Sequence, residues 1–501
     1  MKRIILSLAG VFTILTAQTI YAQEAVNPLL YSYQAVQFGD QNVSHDPITL
    51  IMPGTAYAGG FSSYLDNPAS AALFNRSFGE FGLVYNQVDE TSHFLGNRNN
   101  FDDNQFGLSN LGFIYKFPTV RGSMVMGAGY SRHSYYNRAL SITGRNDQST
   151  MTDFFKIPGS TYEDIAFNTY AIDWADDGDY LESIFRIGFP PGDFPGITQD
   201  AEITERGYGG DFSAFFATEF LENFMVGASI GIQSGRHRYD RLFLEIDEFN
   251  DYDGAFIDSN EDGEGDTDID SILLNDRVNS DYLSFNARVG AIYRFGDHLN
   301  LGASYTFPSV LTVDEEFDAR IVSTFDNGVA FEDEILTDFS YSVRAPARIN
   351  LGAAIVNMGG LSASFSAEYV DYSKTRIDFE ADLFEDERNE NQYIRNNYTD
   401  VWNLRGGAAL ALTDDLTIRG GYGIRPSRFR DFDIEEQQFT GGIGFRMTEN
   451  ARFDIGVKYS LFEETSVLYD YEDHNFNMRS EFVDRDVNRL QVMGTLRFNF
   501  N

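Results

Sequence analysis

The chain has 501 residues and no cysteine, so neither a disulfide nor a thiolate metal site takes part in its fold. Its formal net charge of −39 excludes a nucleic-acid-binding surface, which needs clustered cations to meet phosphate. The acids gather in stretches such as 173–179, 245–270, 314–338 and 380–390, a segregation that predicts acidic loops joining strands with apolar faces.

At the N-terminus, Lys2 and Arg3 precede a short apolar run, and Tyr21-Ala22 offers a cleavage site. Residues 1–22 therefore read as a secretory signal peptide, since the run is too short for a membrane helix of ~20 residues. Residues 23–77 follow as an arm that is too long for a linker. Gly54, Ala56, Ala58, Gly59 and Gly60 let backbone pack closely, and Asp66-Asn67-Pro68-Ala69 reads as a turn with Asn67 pushed to an extended state.

From residue 78 onward the chain alternates. Leu283, Phe285, Ala287, Val289, Ala291, Tyr293 and Phe295 share one face, against Ser284, Asn286, Arg288, Gly290 and Arg294 on the other. The same period of two recurs at 224–232, 416–424 and 490–500. About fourteen strands are expected, near 79–88, 107–118, 121–135, 209–222, 223–244, 280–296, 297–317, 334–357, 360–382, 397–413, 414–428, 434–447, 450–473 and 479–501. The connections after even strands are all short. The largest after odd strands are 137–208 and 247–279, read as long acidic extracellular loops. Short turns on one side, long loops on the other and aromatic residues at strand ends predict an all-β fold. That fold is a transmembrane antiparallel β-barrel of about 14 strands in the outer membrane of a Gram-negative bacterium.

Several constellations carry chemistry. In the first long loop, Trp174, Leu181, Ile184, Phe185 and Phe189 are candidates for a hydrophobic capture groove, or for a loop that packs on itself. By strand parity Arg288, Arg405, Arg419 and Arg497 point into the lumen, to hold a substrate carboxylate or to form structural ion pairs with acids such as Asp66. Asp258, Asn260, Asp262 and Asp266, with Gly263 at the sixth position, resemble the start of a calcium loop, but Ile269 stands where the twelfth-position carboxylate belongs. A solvated acidic outer loop is the favoured explanation for them. Gly227-Ala-Ser229-Ile-Gly231 matches a serine-hydrolase pattern, yet it lies inside an alternating strand rather than at an elbow, so no enzyme is expected.

The stretch Gly54 to Asn75 resembles the N-terminal hatch of the FadL/OmpP1/TodX outer-membrane transporters, through Gly59-Gly60-Phe61, Asp66 and Asn67-Pro68-Ala69. Two later patches resemble the same family: Arg344 to Gly352, and Gly420-Gly421-Tyr422 with Arg425-Pro426-Ser427. The resemblance implies a hatch inside the barrel lumen, with residues 78–501 forming the barrel. It also implies passive uptake of hydrophobic compounds such as long-chain fatty acids, and a kinked early strand that opens a lateral exit. Glycine often marks a strand irregularity, which places that kink within Ser123 to Ser134, where Gly127 and Gly129 interrupt the ladder; the alternative is that barrel strands are simply rich in glycine. The expected partners are a hydrophobic small molecule, outer-membrane lipid and the barrel assembly machinery, with a monomer, no required cofactor and no nucleic acid. The alternatives are a haem-binding receptor of the same fold using His133 or His237, a general porin, and a structural or secretion-assisting barrel.

Overall fold

The structure is a computed structural model. It describes residues 25–41, 46–157, 159–175, 180–190, 193–252, 254, 257–259, 262–379, 383–430, 435–473 and 475–500. The expected signal peptide, residues 1–22, lies outside the described residues.

Fourteen antiparallel strands close on themselves. They are β1 (Ser77–Phe94), β2 (Asn97–Lys116), β3 (Met124–Asn146), β4 (Ile197–Leu221), β5 (Phe224–Ile246) and β6 (Ile269–Phe295). Next come β7 (Leu299–Thr306, continued by Ser309–Phe325), β8 (Ala330–Ala345, continued by Arg348–Met358), β9 (Leu361–Asp371) and β10 (Asp400–Ala411). The last are β11 (Leu416–Pro426), β12 (Glu435–Arg446), β13 (Ala451–Glu472) and β14 (Met478–Phe500). β1 pairs with β14 from Ser77↔Phe500 onward, which joins the last strand to the first. Closure follows from the solvent: lipid offers no hydrogen bond, so a spanning sheet must pair every backbone group and leave no edge.

The alternation seen in sequence sorts the two faces. Leu283, Phe285, Val289 and Tyr293 of β6 are exposed on the outside while Ser284, Asn286 and Arg288 are buried within. Exposed rings mark both rims of this apolar band. Tyr293 and Phe295 meet at 4.5 Å at the short-turn end, and Tyr422 and Phe439 at 5.2 Å toward the other. Above the band the outward face becomes charged, with Arg236 on Asp281 at 2.8 Å and Arg277 on Asp240 at 2.6 Å.

The strands continue past the membrane, so the loops are shorter than the sequence suggests. β3 runs to Asn146 and β4 resumes at Ile197, and β5 runs to Ile246 with β6 resuming at Ile269. The expected loops at 137–208 and 247–279 thus reduce to 147–196 and 247–268. The reason is packing. Ile142, Ile203, Phe243 and Leu274 on the inner faces of these extensions share a core with Met151, Phe155, Ile172 and Phe185 of the loop.

Helices are few: α1 (Tyr31–Gly39), α2 (Pro47–Ile51), α3 (Ser63–Asp66), α4 (Thr152–Phe155), α5 (Glu163–Asn168) and α6 (Phe384–Asn397). A 3₁₀ turn spans Pro68–Leu73. α6 occupies a connection to which the sequence reading assigned no element.

Candidate functional site: an occupied lumen and a break in the wall

The N-terminal segment reaches strands on opposite sides of the closed wall, which places it within the barrel. Its local order comes from capped helix starts. Asp46 accepts from the Ile48 and Thr49 amides at 2.9 Å each, with Pro47 at the first helical position of α2. Asn67 repeats the device, accepting from the Ala69 amide at 3.0 Å ahead of Pro68. The segment folds back on itself where Asp66 accepts from the Gly54 amide at 2.7 Å and Asp46 accepts from the Ser62 amide at 3.2 Å.

Glycines on the inner wall form its seat. A Cβ on Gly407 would overlap the Ile51 carbonyl oxygen, and one on Gly302 would overlap that of Thr55. At these two positions the backbone of the segment touches the backbone of the wall. The cause of these inward glycines is this close approach. Strand parity combined with glycine was the available signal.

The segment's predicted residues lie at its contacts. Phe61 is fully buried, its ring filling the space that side chains on Gly112 and Gly129 would take. A Cβ on Gly60 would overlap the Asp46 carboxylate, and the Gly59 carbonyl accepts from Arg497 at 2.9 Å. Pro68 and Ala69 abut Gly227 of β5. Asn67 donates to the Thr55 carbonyl at 2.7 Å and reaches the Ala291 and Ala303 carbonyls of β6 and β7.

The four lumenal arginines are held in ion pairs. Arg288 meets Asp211 at 2.8 Å, Arg405 meets Asp66 at 2.9 Å, Arg419 meets Asp454 at 2.9 Å and Arg497 meets Glu80 at 2.6 Å. Buried charges need such partners. Arg405 with Asp66 ties the segment to β10. The sequence reading did not single out Asp40, which accepts from Arg425 at 2.7 Å, Arg348 at 3.3 Å and the Tyr372 hydroxyl at 2.6 Å. Arg348 and Arg425 come from the two patches that resembled the family, and the fold brings them to one carboxylate.

The wall breaks between β2 and β3. Their ladder runs only from Asn110↔Ser131 to Lys116↔Val125, although both strands extend beyond it. Against β4, β3 shifts register between Arg132 and Ser134. Gly127 and Gly129 lie in regular pairing, so the irregularity falls at 132–134 rather than at those glycines. They serve packing instead: Gly127 makes room for Phe215 and Gly129 for Phe61. Beyond the break β3 leans inward. Ala139 donates to the Glu90 carboxylate of β1 at 3.2 Å, and the Asn137 carbonyl accepts from Arg489 of β14 at 3.2 Å. Arg206 of β4 reaches over it to Asp103 of β2 at 2.7 Å. The break begins within the apolar band, because Phe106, beyond it on β2, is 70% exposed.

Two cavities flank α1. The inner one, about 180 Å³, is polar and lies beside the break, with Tyr33, Gln37 and Asp40 on one side and Ser134 to Arg138 on the other. The outer one, about 70 Å³, lies between Leu30, Tyr31 and Gln34, the loop residues Phe154 and Tyr162, and the walls.

The remaining candidates are placed as follows. Ile184 and Phe185 are fully buried in the loop core, Leu181 and Phe189 pack against that core, and Trp174 is exposed. The expected apolar groove is therefore filled by the loop's own side chains. Leu181–Ser183 forms half of a small hairpin with Ile172–Trp174. Asn260 lies outside the described residues. Asp258 accepts from the Asp262 and Gly263 amides, Asp262 from the Glu264 amide, and Asp266 from the Ser259 amide and hydroxyl. Ser229 sits mid-strand opposite Phe215 and Arg288, without an elbow. His133 and His237 are buried; His237 contacts Glu205 at 3.3 Å and packs on Phe38 and Tyr136.

Comparison with known proteins agrees with this architecture. A family model described as outer membrane protein transport protein (OMPP1/FadL/TodX) matches residues 219–496. The fold is similar to the Pseudomonas putida toluene transporter TodX at 15% identity and a TM-score of 0.53, covering 92% of this chain and 100% of that one. It is similar to a Pseudomonas aeruginosa FadL homologue at 13% identity and a TM-score of 0.51, covering 92% of this chain and 98% of that one. No curated protein matches the sequence.

Proposed function

The chain belongs to the OMPP1/FadL/TodX family of outer-membrane transport proteins, and from that membership we propose that it moves hydrophobic compounds passively across the outer membrane, with residues 46–74 as the hatch. A long-chain fatty acid is the first probe of that class. The observation that carries this reading is the wall break at Ser131 beside the inner cavity of about 180 Å³. A compound held there leaves sideways into lipid, where an apolar body is at home, while the segment below denies a straight aqueous path. A general porin is disfavoured by the same occupied lumen. A haem receptor is disfavoured by His133 and His237, which are buried among protein partners.

The test is uptake of a long-chain fatty acid and of its alcohol by cells of a Gram-negative host lacking its own transporters of this family. The intact chain is expected to raise the uptake of one or both in a saturable way. Deletion of Asn67 to Ala69 is expected to lower that uptake several-fold while the barrel stays heat-modifiable. Unchanged uptake by the deletion variant defeats the hatch assignment, and no gain from the intact chain defeats the transport reading. Micromolar binding to the purified barrel, roughly −8 kcal/mol, would agree with it, whereas binding of haem alone would favour the receptor.

A further inference from the structure

The outer cavity is apolar over much of its lining, through Leu29, Leu30, Phe154, Val278, Phe317 and Leu468, yet three charged side chains also border it. Arg241 is already satisfied: it donates to Asp276 at 2.9 and 2.8 Å and to the Leu468 carbonyl at 3.0 Å. The other two are carboxylates. Glu315, 7% exposed, accepts from the Tyr31 hydroxyl at 3.2 Å and from Ser280 at 3.0 Å. Asp470, 6% exposed, accepts from Ser480 on Oδ1 at 2.5 Å, and its Oδ2 has no hydrogen-bond partner among the described residues. Neither carboxylate has a cation within ion-pair distance among the described residues.

Resting on the transport reading, we propose that this cavity is a head-group subsite selecting apolar compounds that carry an amine. A buried carboxylate without a counter-ion is costly in its charged form, and an entering ammonium relieves that cost. A second carboxylate would add like charge to two acids already confined there. The Phe154, Tyr162 and Phe317 rings supply faces for the cation, and Leu29, Leu30, Val278 and Leu468 receive the first carbons of the chain. Asp470 Oδ2 is the free acceptor for one ammonium proton. An alcohol binds without the ionic gain, and a carboxylate is rejected.

The experiment uses the full chain in lipid nanodiscs at neutral pH, with hexylamine, hexanol and hexanoate as probes of matched apolar bodies. Hexylamine is expected to bind about tenfold more tightly than hexanoate. Asp470→Asn and Glu315→Gln, each nearly isosteric, are expected to weaken hexylamine about fivefold and to leave hexanol unchanged. Heat-modifiability checks that the variants fold, and the wild-type ranking needs no variant. Hexanoate binding as tightly as hexylamine, an unchanged amine-to-alcohol ratio in both variants, or no hexylamine binding overturns the proposal. Cellular uptake of the long-chain alcohol separates the two readings. If that uptake persists without an amine preference, only the head-group assignment falls; if no probe binds and none crosses, both fall.

Discussion

Asn67 is the residue on which the lumenal segment turns. One amide caps the Pro68–Leu73 turn, holds the Thr55 carbonyl and reaches two strands of the wall. Asn67→Ala removes the cap and leaves buried carbonyls without their donor, at a cost of about 2 kcal/mol. That corresponds to a rise of about thirtyfold in local amide exchange over residues 54–74, with β-strand amides unaffected. Unchanged protection would show that the glycine seat alone secures the segment. Gly302 and Gly407 explain why a seat exists: only a residue without Cβ lets the Thr55 and Ile51 carbonyls lie against the strand.

Among the elements, β3 departs most from regular pairing. Its withdrawal after Ser131 leaves residues 97–109 of β2 bonded to β1 on one side and to scattered side chains on the other. Amides of 97–109 that point toward β3 are expected to exchange faster than those pointing toward β1, and uniform protection would mean the ladder closes in the membrane. α6 offers a second element-level expectation. Its Glu390 is buried and accepts from the Ser32 amide at 2.9 Å, and burial pushes its carboxyl up to about 7 from an ordinary 4.5. A raised carboxyl favours the docked helix while protonated. Docking stability is therefore full below about pH 4.5 and falls as pH rises toward 7. A fluorophore on Glu385→Cys, in a chain with no other cysteine, reports denaturant-induced release of α6. The midpoint should drop between those pH values and stay level in Glu390→Gln. A pH dependence that survives Glu390→Gln would assign it elsewhere.

At the scale of the molecule, the wall and its contents are separate constructions. The wall is held by backbone ladders, interrupted between β2 and β3 beyond Asn110↔Ser131, and by apolar side chains facing lipid, and it closes through β1 and β14. The contents are held by ion pairs, caps and glycine contacts. The extracellular extensions enclose a third construction, in which the described residues of loop 147–196 share a core with the inner faces of the strands. This division is why deletion of Asn67 to Ala69 is expected to change passage while leaving a heat-modifiable barrel.

The sequence by itself determined the wall. A period of two, short turns on one side and aromatic residues at strand ends are local consequences of lipid on one face, and all fourteen strands were legible from them. It also marked the turn in the lumenal segment, because turn and cap chemistry is written in neighbours such as Asn67 and Pro68. Tertiary structure alone decided what those neighbours could not encode. The partners of Arg288, Arg405, Arg419 and Arg497 lie on other strands or in the segment, and Asp40 gathers Arg348 and Arg425 from distant parts of the chain. The register break fell at Arg132–Ser134 rather than at Gly127 and Gly129, because a glycine marks spare volume, and here Phe215 and Phe61 occupy it. Ile184 and Phe185 turned inward because the extended strands offered apolar inner faces above the membrane, and the height of those strands is set by cross-strand pairing rather than by local residue pattern.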